Sequence, residues 1–316
     1  MKGFHIVIIR PGAIGDALLT FPILQVLREH YTDAHITLVS NAQVLPLALA
    51  FGVAEEVFDF QDIRWSELFS TDGIRTPLML ELLGQTDLAI CWLRDPDGII
   101  EHNLKATCIR RIIVTQGRPP EGERVHIVDY LSATVGLTPV GARFIVPSSW
   151  STTNPDYKDT KNQYIAIHPG SGAEQKCWPV SYFAAVIERL WKQNWPVLLL
   201  EGPADTERMR DLLHHLSSPP SPEMLKLLTN APLLEVARQL QQCRCYLGND
   251  AGITHLAAML GIPTVAIFGP SDPAVWQPRG PSVEVIQGCP LEDLPVDRVM
   301  ETIAHFSYMP QNCSPG

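Results

Sequence analysis

At 316 residues the chain is long for one domain and natural for two, and its 46% hydrophobic and 18% charged residues exclude a disordered or coiled-coil protein. A formal net charge of −10 argues against a general nucleic-acid binder, while leaving room for a local basic patch. Seven scattered cysteines include no CxxC pair, and Cys243 and Cys245 stand too close for a zinc knuckle, so they read as reduced thiols of a cytosolic protein. The opening "MKGFHIVIIRPGAIGD" lacks a signal-peptide core and cleavage site, and no apolar run reaches the roughly 18 residues of a membrane span, so neither a leader nor a transmembrane segment is expected.

In chain order, 4–9 is an apolar run expected as a buried parallel strand, and 11–16 is a turn. Residues 16–30 carry apolar side chains at 18, 19, 23, 26 and 27, a helical period. Strands follow at 35–39, 87–92 and 111–114. At 148–161 the composition turns polar, includes Pro155 and shows neither period. It is read as a linker dividing an N-terminal domain, 1–155, from a C-terminal domain, 156–316. The pattern then restarts, with strands at 164–168, 196–200, 225–229, 244–247 and 264–268 and helices at 180–192, 204–216, 232–242 and 251–260. Residues 291–306 have helical spacing and are expected to cross back onto the N-terminal domain, the alternative being a terminal helix on its own domain. Alternating strands and helices with short turns predict an α/β protein of two Rossmann-like, doubly wound domains facing a central cleft. Such sheets bind ligands at the carboxyl ends of their strands, which directs attention to 10–16, 168–178, 201–207, 248–255 and 269–278.

Four of these turns carry chemistry. In 248–255, Gly248 and Gly252 are expected at positive φ, and the helix beginning near Ala251 turns its free amides toward a ligand, which suits an anion. Asp250 can cap that helix or accept from sugar hydroxyls, and His255 is either within reach of a phosphate or a structural histidine. In "HPGSGAEQKCWP", the Gly170, Ser171 and Gly172 loop followed by Lys176 suits a diphosphate, although the spacing is neither a Walker A loop nor a GxGxxG fingerprint; the alternative is a solvated lysine. In "RPGAIGDALLTFP", Asp16 opens a helix, where a carboxylate can take a proton from a hydroxyl or serve as an N-cap. In "LEGPADTERM", Glu201 or Glu207 can hold ribose hydroxyls or simply favour a helix dipole.

Taken together, 10–22, 125–137 ("VHIVDYLSATVGL"), 167–179, 202–207 and 248–278 resemble the ADP-heptose:lipopolysaccharide heptosyltransferase family, glycosyltransferase family 9, which has the GT-B fold. The resemblance implies an inverting, metal-independent glycosyltransferase without cofactor, moving a heptose from ADP-heptose to a lipopolysaccharide core acceptor. By position it makes Asp16 the general base, and gives donor contacts to Ser171, Lys176, Glu207, Asp250, Ala251, Gly252 and His255. Ala251 stands where many relatives carry Ser or Thr, and its amide can still serve. Arg10, Arg110 and Arg111 are acceptor-side candidates, and Lys105, Arg110, Arg111 and Arg118 form a basic stretch that an anionic acceptor or membrane leaflet would favour. The implied protein is cytoplasmic, peripheral at the inner face of the inner membrane, binds a nucleotide sugar and a glycolipid, and touches no nucleic acid. The alternatives are a family member using another nucleotide sugar or glycan, an NAD-type oxidoreductase, and a non-catalytic nucleotide-sugar binder.

Overall fold

The computed structural model describes residues 3–137, 144, 146, 147, 150 and 164–308. The expected linker, apart from Trp150, and the 155/156 boundary lie outside the described residues. The chain divides into two compact units, Met1–Pro147 and Ser148–Gly316.

The N-terminal unit holds β1 (His5–Arg10), β2 (His35–Ser40), β3 (Glu56–Asp59), β4 (Leu88–Cys91) and β5 (Arg111–Val114). They form one parallel sheet in the order β3-β2-β1-β4-β5. Its helices are α1 (Ile14–Leu18), α2 (Phe21–His30), α3 (Leu45–Ala50), α4 (Pro77–Gly84), α5 (Ile99–Lys105) and α6 (Ile127–Thr134). The single helix expected over 16–30 is two. Pro22, which has no amide hydrogen to give, lies in the first turn of α2, and α1 ends at Leu18.

The C-terminal unit holds β6 (Tyr164–His168), β7 (Val197–Glu201), β8 (Leu225–Thr229), β9 (Cys243–Asn249), β10 (Thr264–Phe268) and β11 (Val283–Gln287). Its parallel sheet runs β11-β10-β9-β6-β7-β8. The helices are α7 (Val180–Lys192), α8 (Thr206–His215), α9 (Leu233–Leu240), α10 (Gly252–Met259), α11 (Pro273–Trp276) and α12 (Val296–Tyr308). The central strands β1, β4, β6 and β7 carry runs of buried, mainly aliphatic residues, as parallel strands covered on both faces do, while β9 ("CRCYLGN") buries Tyr246 and Asn249 as well. The helix expected to cross back instead packs, over its described length, on its own unit. Val299, Ile303 and Phe306 of α12 join Ile165, Ile167, Leu247 and Ile267 in one core, and the helix contacts α7, β9 and β10.

Trp178 anchors this core. It is fully buried, packs edge-on against Phe183 and Tyr182, and donates from Nε1 to the Leu294 carbonyl at 3.1 Å. Trp178→Ala should destabilise the C-terminal unit by about 3–5 kcal/mol, the usual cost of emptying an aromatic site. Urea unfolding followed by far-UV circular dichroism checks this; an unchanged midpoint would mean that the site collapses freely.

In each unit the strand order reverses beside the first strand, between β1 and β4 and between β6 and β9. The loops leaving those strands diverge there, which makes the carboxyl ends of the strands the place for a ligand.

Candidate functional site

Arg10 is the last residue of β1 and is 4% exposed. Its Nη2 donates to Asp16 Oδ1 at 3.0 Å. Asp16 is the third residue of α1, and its Oδ2 accepts from the Ala13 amide at 3.2 Å, the backbone half of a capping box. The N-cap itself is Ala13, so the capping alternative for Asp16 is corrected to this reciprocal contact. Gly12 has φ +133°, and a Cβ there would stand 2.9 Å from Asp16 Oδ2, so the turn needs glycine to admit the carboxylate. Burial lowers the pKa of the Arg10 guanidinium; the Asp16 charge opposes this and the Arg118 charge adds to it. Arginine remains a cation under such a shift. One buried arginine and one amide therefore hold the Asp16 carboxylate in a single orientation, with 14% of its side chain open to solvent.

In the C-terminal unit the turns after β6, β7 and β9 are tied into one cluster. Lys176 Nζ donates to Asp250 Oδ2 at 2.7 Å, and Ser171 Oγ donates to the Asp250 carbonyl at 2.7 Å. Asn249 donates to the Pro169 carbonyl at 2.7 Å and accepts from the Trp178 amide at 3.0 Å. His168 Nε2 lies 2.9 Å from Asp205 Oδ2, which also accepts from the Gly202 amide at 3.0 Å. Burial alone would raise the Asp205 carboxyl. The hydrogen bond and charge of His168, the Gly202 amide and Arg208 outweigh burial and leave it below its ordinary range. At Gly170 a Cβ would stand 1.9 Å from Asp205 Oδ1, so the loop after β6 lies directly on that carboxylate.

Helix α10 begins at Gly252 behind Ala251, whose backbone is extended and which gives no side-chain cap. The uncapped amides and positive end of the helix dipole thus open beside Ser171 and Lys176. Several expectations change here. Asp250 is not the cap; it is 7% exposed and bound to Lys176, so Lys176 is not simply solvated either. Gly248 and Gly252 are not at positive φ, and Gly248 instead makes room for the Tyr246 hydroxyl, 2.3 Å from where its Cβ would lie. His255 is 6% exposed, in the second turn of α10 and largely enclosed by the fold. Glu207 is exposed in the first turn of α8, while Glu201 accepts from Thr229 Oγ1 at 3.1 Å.

The acceptor-side arginines separate. Arg111 is in register with Leu88, which is in register with Ile6, four residues and about 13 Å of strand before Arg10. Arg110 pairs with Asp87, and Arg111 reaches Tyr31 at 3.5 Å, both at the amino edge of the sheet. Lys105 pairs with Glu101 on α5. Arg118, beyond β5, belongs to the other edge and adds its charge near Arg10. The basic stretch is therefore not one patch. At the carboxyl edge an open pocket of ≈ 230 Å³ is lined by Leu93, Arg94, Asp95, Pro96 and Val114–Gln116. Sequence reasoning missed that pocket, and it missed Asp205, His168 and Asn249. The signal for those three was a polar residue at or just beyond a strand end, on the same turns that the glycines had marked.

Two doubly wound parallel sheets with polar turns at their carboxyl edges define a GT-B-type α/β protein. The chain belongs to glycosyltransferase family 9 (heptosyltransferase), whose sequence profile matches residues 145–303. It is similar to lipopolysaccharide heptosyltransferase 3 of Escherichia coli, at 23% identity over 293 residues, 84% of this chain and 83% of that protein. Its fold matches that of the E. coli ADP-heptose lps heptosyltransferase II, with TM-score 0.75 and 19% identity over 96% of this chain and 98% of the other. It also matches the iron-containing dodecameric glycosyltransferase TibC of enterotoxigenic E. coli, with TM-score 0.60 and 15% identity over 97% and 77% of the two chains. Among the described residues no helix is long and apolar enough to cross a membrane.

Proposed function

We propose that this protein is an inverting heptosyltransferase that moves a heptose from ADP-heptose to a lipopolysaccharide core acceptor, with no metal in the transfer step. The observation that carries the reading is the cluster of Ser171, Lys176 and Asp250 at the uncapped start of α10. Lys176 has three ammonium donors; Asp250 takes one and fixes the chain, leaving the others for a diphosphate. The amides of Ala251 and Gly252 would meet the same phosphates, and Glu207, exposed in the first turn of α8, would hold the ribose. His255, in α10 behind those amides, is the donor-side residue of that helix, and Asp250 accepts from a sugar hydroxyl on the oxygen that Lys176 leaves open.

Asp16 is the general base. It removes the proton of the acceptor hydroxyl as that oxygen attacks the anomeric carbon, and ADP departs from the opposite face, which inverts the configuration. Negative charge grows on the leaving diphosphate. Lys176 and the α10 amides therefore stabilise the transition state more than the bound donor, the role a metal takes in other transferases. The acceptor is a glycolipid reached peripherally at the inner membrane face, with Arg10 acting through Asp16 and Arg94 beside the ≈ 230 Å³ pocket contacting its anionic groups.

The test is calorimetric binding of ADP, UDP, GDP and NAD without added metal, to wild type and Lys176→Ala. ADP should bind best and survive EDTA, and Lys176→Ala should weaken it about ten- to hundredfold, the worth of a hydrogen bond to a charged group. Preference for UDP or GDP would change the sugar donor. Preference for NAD, or no nucleotide binding, would overturn the transferase reading.

A further inference from the structure

The amino edge of the first sheet carries a polar cluster that the proposed transfer does not use. His5, His35 and Glu56 begin three adjacent strands, β1, β2 and β3. The register pairs His5 with His35 and Thr37 with Glu56. His35 and Thr37 are two residues apart on β2, so all four side chains stand on one face of the sheet. One ligand atom from each of His5, His35 and Glu56 lies within 4.8 Å of the other two. His5 Nε2 is 2.9 Å from Thr37 Oγ1, Thr37 Oγ1 donates to Glu56 Oε2 at 3.1 Å, and His35 Nε2 is 3.8 Å from Glu56 Oε2. His5 is 8% exposed in a strand that is otherwise aliphatic up to Arg10, a place where sheet packing alone would favour another Val or Ile.

We propose that His5, His35 and Glu56 form a binding site for a divalent transition-metal ion of the Zn2+ type, separate from the transfer chemistry. Two imidazoles and one carboxylate are a nitrogen and oxygen set suited to zinc, with a fourth position open to water. Ligand bonds of about 2.0–2.2 Å bring tetrahedral ligand atoms to roughly 3.3 Å from one another, so the cluster must tighten. It can do so from one side. The buried His5 ring stays in place and exchanges its Nε2 contact with Thr37 for the ion, its ring proton moving to Nδ1, while His35 and Glu56 have side chains 48% and 44% exposed and can swing in. Thr37, fully buried between His5 and Glu56, then becomes the outer partner that orients the carboxylate. The site lies five residues, about 17 Å of strand, from Arg10. An ion there fastens β1, β2 and β3 at the edge opposite Asp16 and contributes to stability rather than to catalysis.

The experiment uses the full, untagged chain with accessible thiols alkylated, because Cys108 and Cys289 are exposed and would compete for zinc. Zn2+ alone is titrated calorimetrically into wild type, His35→Ala and Glu56→Gln, and the melting temperature of each is read with and without zinc. Wild type should bind one equivalent and melt higher with zinc. Each variant should lose tenfold or more in affinity and most of the shift, while melting like wild type without metal, since both side chains are half exposed. X-ray absorption of the zinc-loaded protein should show only nitrogen and oxygen neighbours, at about 2.0–2.2 Å. Absence of stoichiometric binding, undiminished binding in both variants, or sulfur neighbours near 2.3 Å would overturn the site. ADP affinity should be equal in His35→Ala and wild type. If His35→Ala weakens ADP binding along with zinc binding, the separation from the transfer site fails.

Discussion

Asp16→Asn should keep ADP affinity and slow heptose transfer by about two to four orders of magnitude. The substitution is nearly isosteric. Its amide oxygen can still accept from Arg10 or from the Ala13 amide, so the turn and α1 should persist. What it removes is the one group in that turn able to take a proton. The donor cluster draws on the turns after β6, β7 and β9 and does not include Asp16, so nucleotide binding is the control that separates lost chemistry from lost folding. Single-turnover transfer assays, with ADP titrations alongside, check the expectation. Unchanged turnover would remove Asp16 from the mechanism, and loss of ADP binding would make it structural. Arg10→Ala should act through Asp16, loosening the carboxylate without removing it, so its defect should be the smaller of the two.

The second large effect concerns stability. Asp205→Ala strips the partner from two groups, His168 Nε2 and the Gly202 amide, in a place where the His168 and Asp205 side chains are 7% and 9% exposed. At about 1–3 kcal/mol for each orphaned buried group, the loss is on the order of 4 kcal/mol, enough to threaten a domain of ordinary stability. Asp205→Asn keeps an acceptor oxygen and should cost less. Wild type and Asp205→Asn respond differently to acid. The Asp205 carboxyl lies below its ordinary value of 3.8, so its ionised form is the one that stabilises the fold. That contribution is complete above the unfolded value and is lost as pH falls through the lower folded value. The stability gap between wild type and Asp205→Asn should therefore be steady at neutral pH and close as pH drops below about 4. Urea unfolding across that range reads it directly, and a gap that widened in acid would reverse the assignment.

Much of the fold was legible because most of its strands contain a short aliphatic run between turn residues. The strands expected at 111–114, 164–168, 225–229 and 264–268 and the helix at 180–192 coincide with β5, β6, β8, β10 and α7. All four sheet edges pair on one side only. Of these, β5 ("RIIV") and β8 ("LKLLT") keep an aliphatic run, while β3 ("EVFD") and β11 ("VEVIQ") interleave charged or polar residues and leave no apolar run to find. For the site, glycines and polar residues after strands marked the right turns, but not the partners within them. Lys176 and Asp250 are 74 residues apart and His168 and Asp205 are 37 apart, distances across which periodicity says nothing. Adjacency misled in the other direction. Arg110, Arg111 and Arg118 are neighbours in sequence, yet a strand runs between them and carries them to opposite edges of the sheet.

The two edges of these sheets also decide where a reporter can be attached. Cys108 is exposed, in a left-handed turn with φ +66° between α5 and β5, at the amino edge and on the far side of β1 from β2 and β3. Cys289, exposed as well, follows β11 on the carboxyl edge with the donor turns. A fluorophore or spin label on Cys108, in a variant lacking Cys289 and Cys313, rides on the N-terminal unit without entering the turns that bind nucleotide or hold Asp16. Its signal on adding ADP would report motion of the framework rather than disturbance of the chemistry.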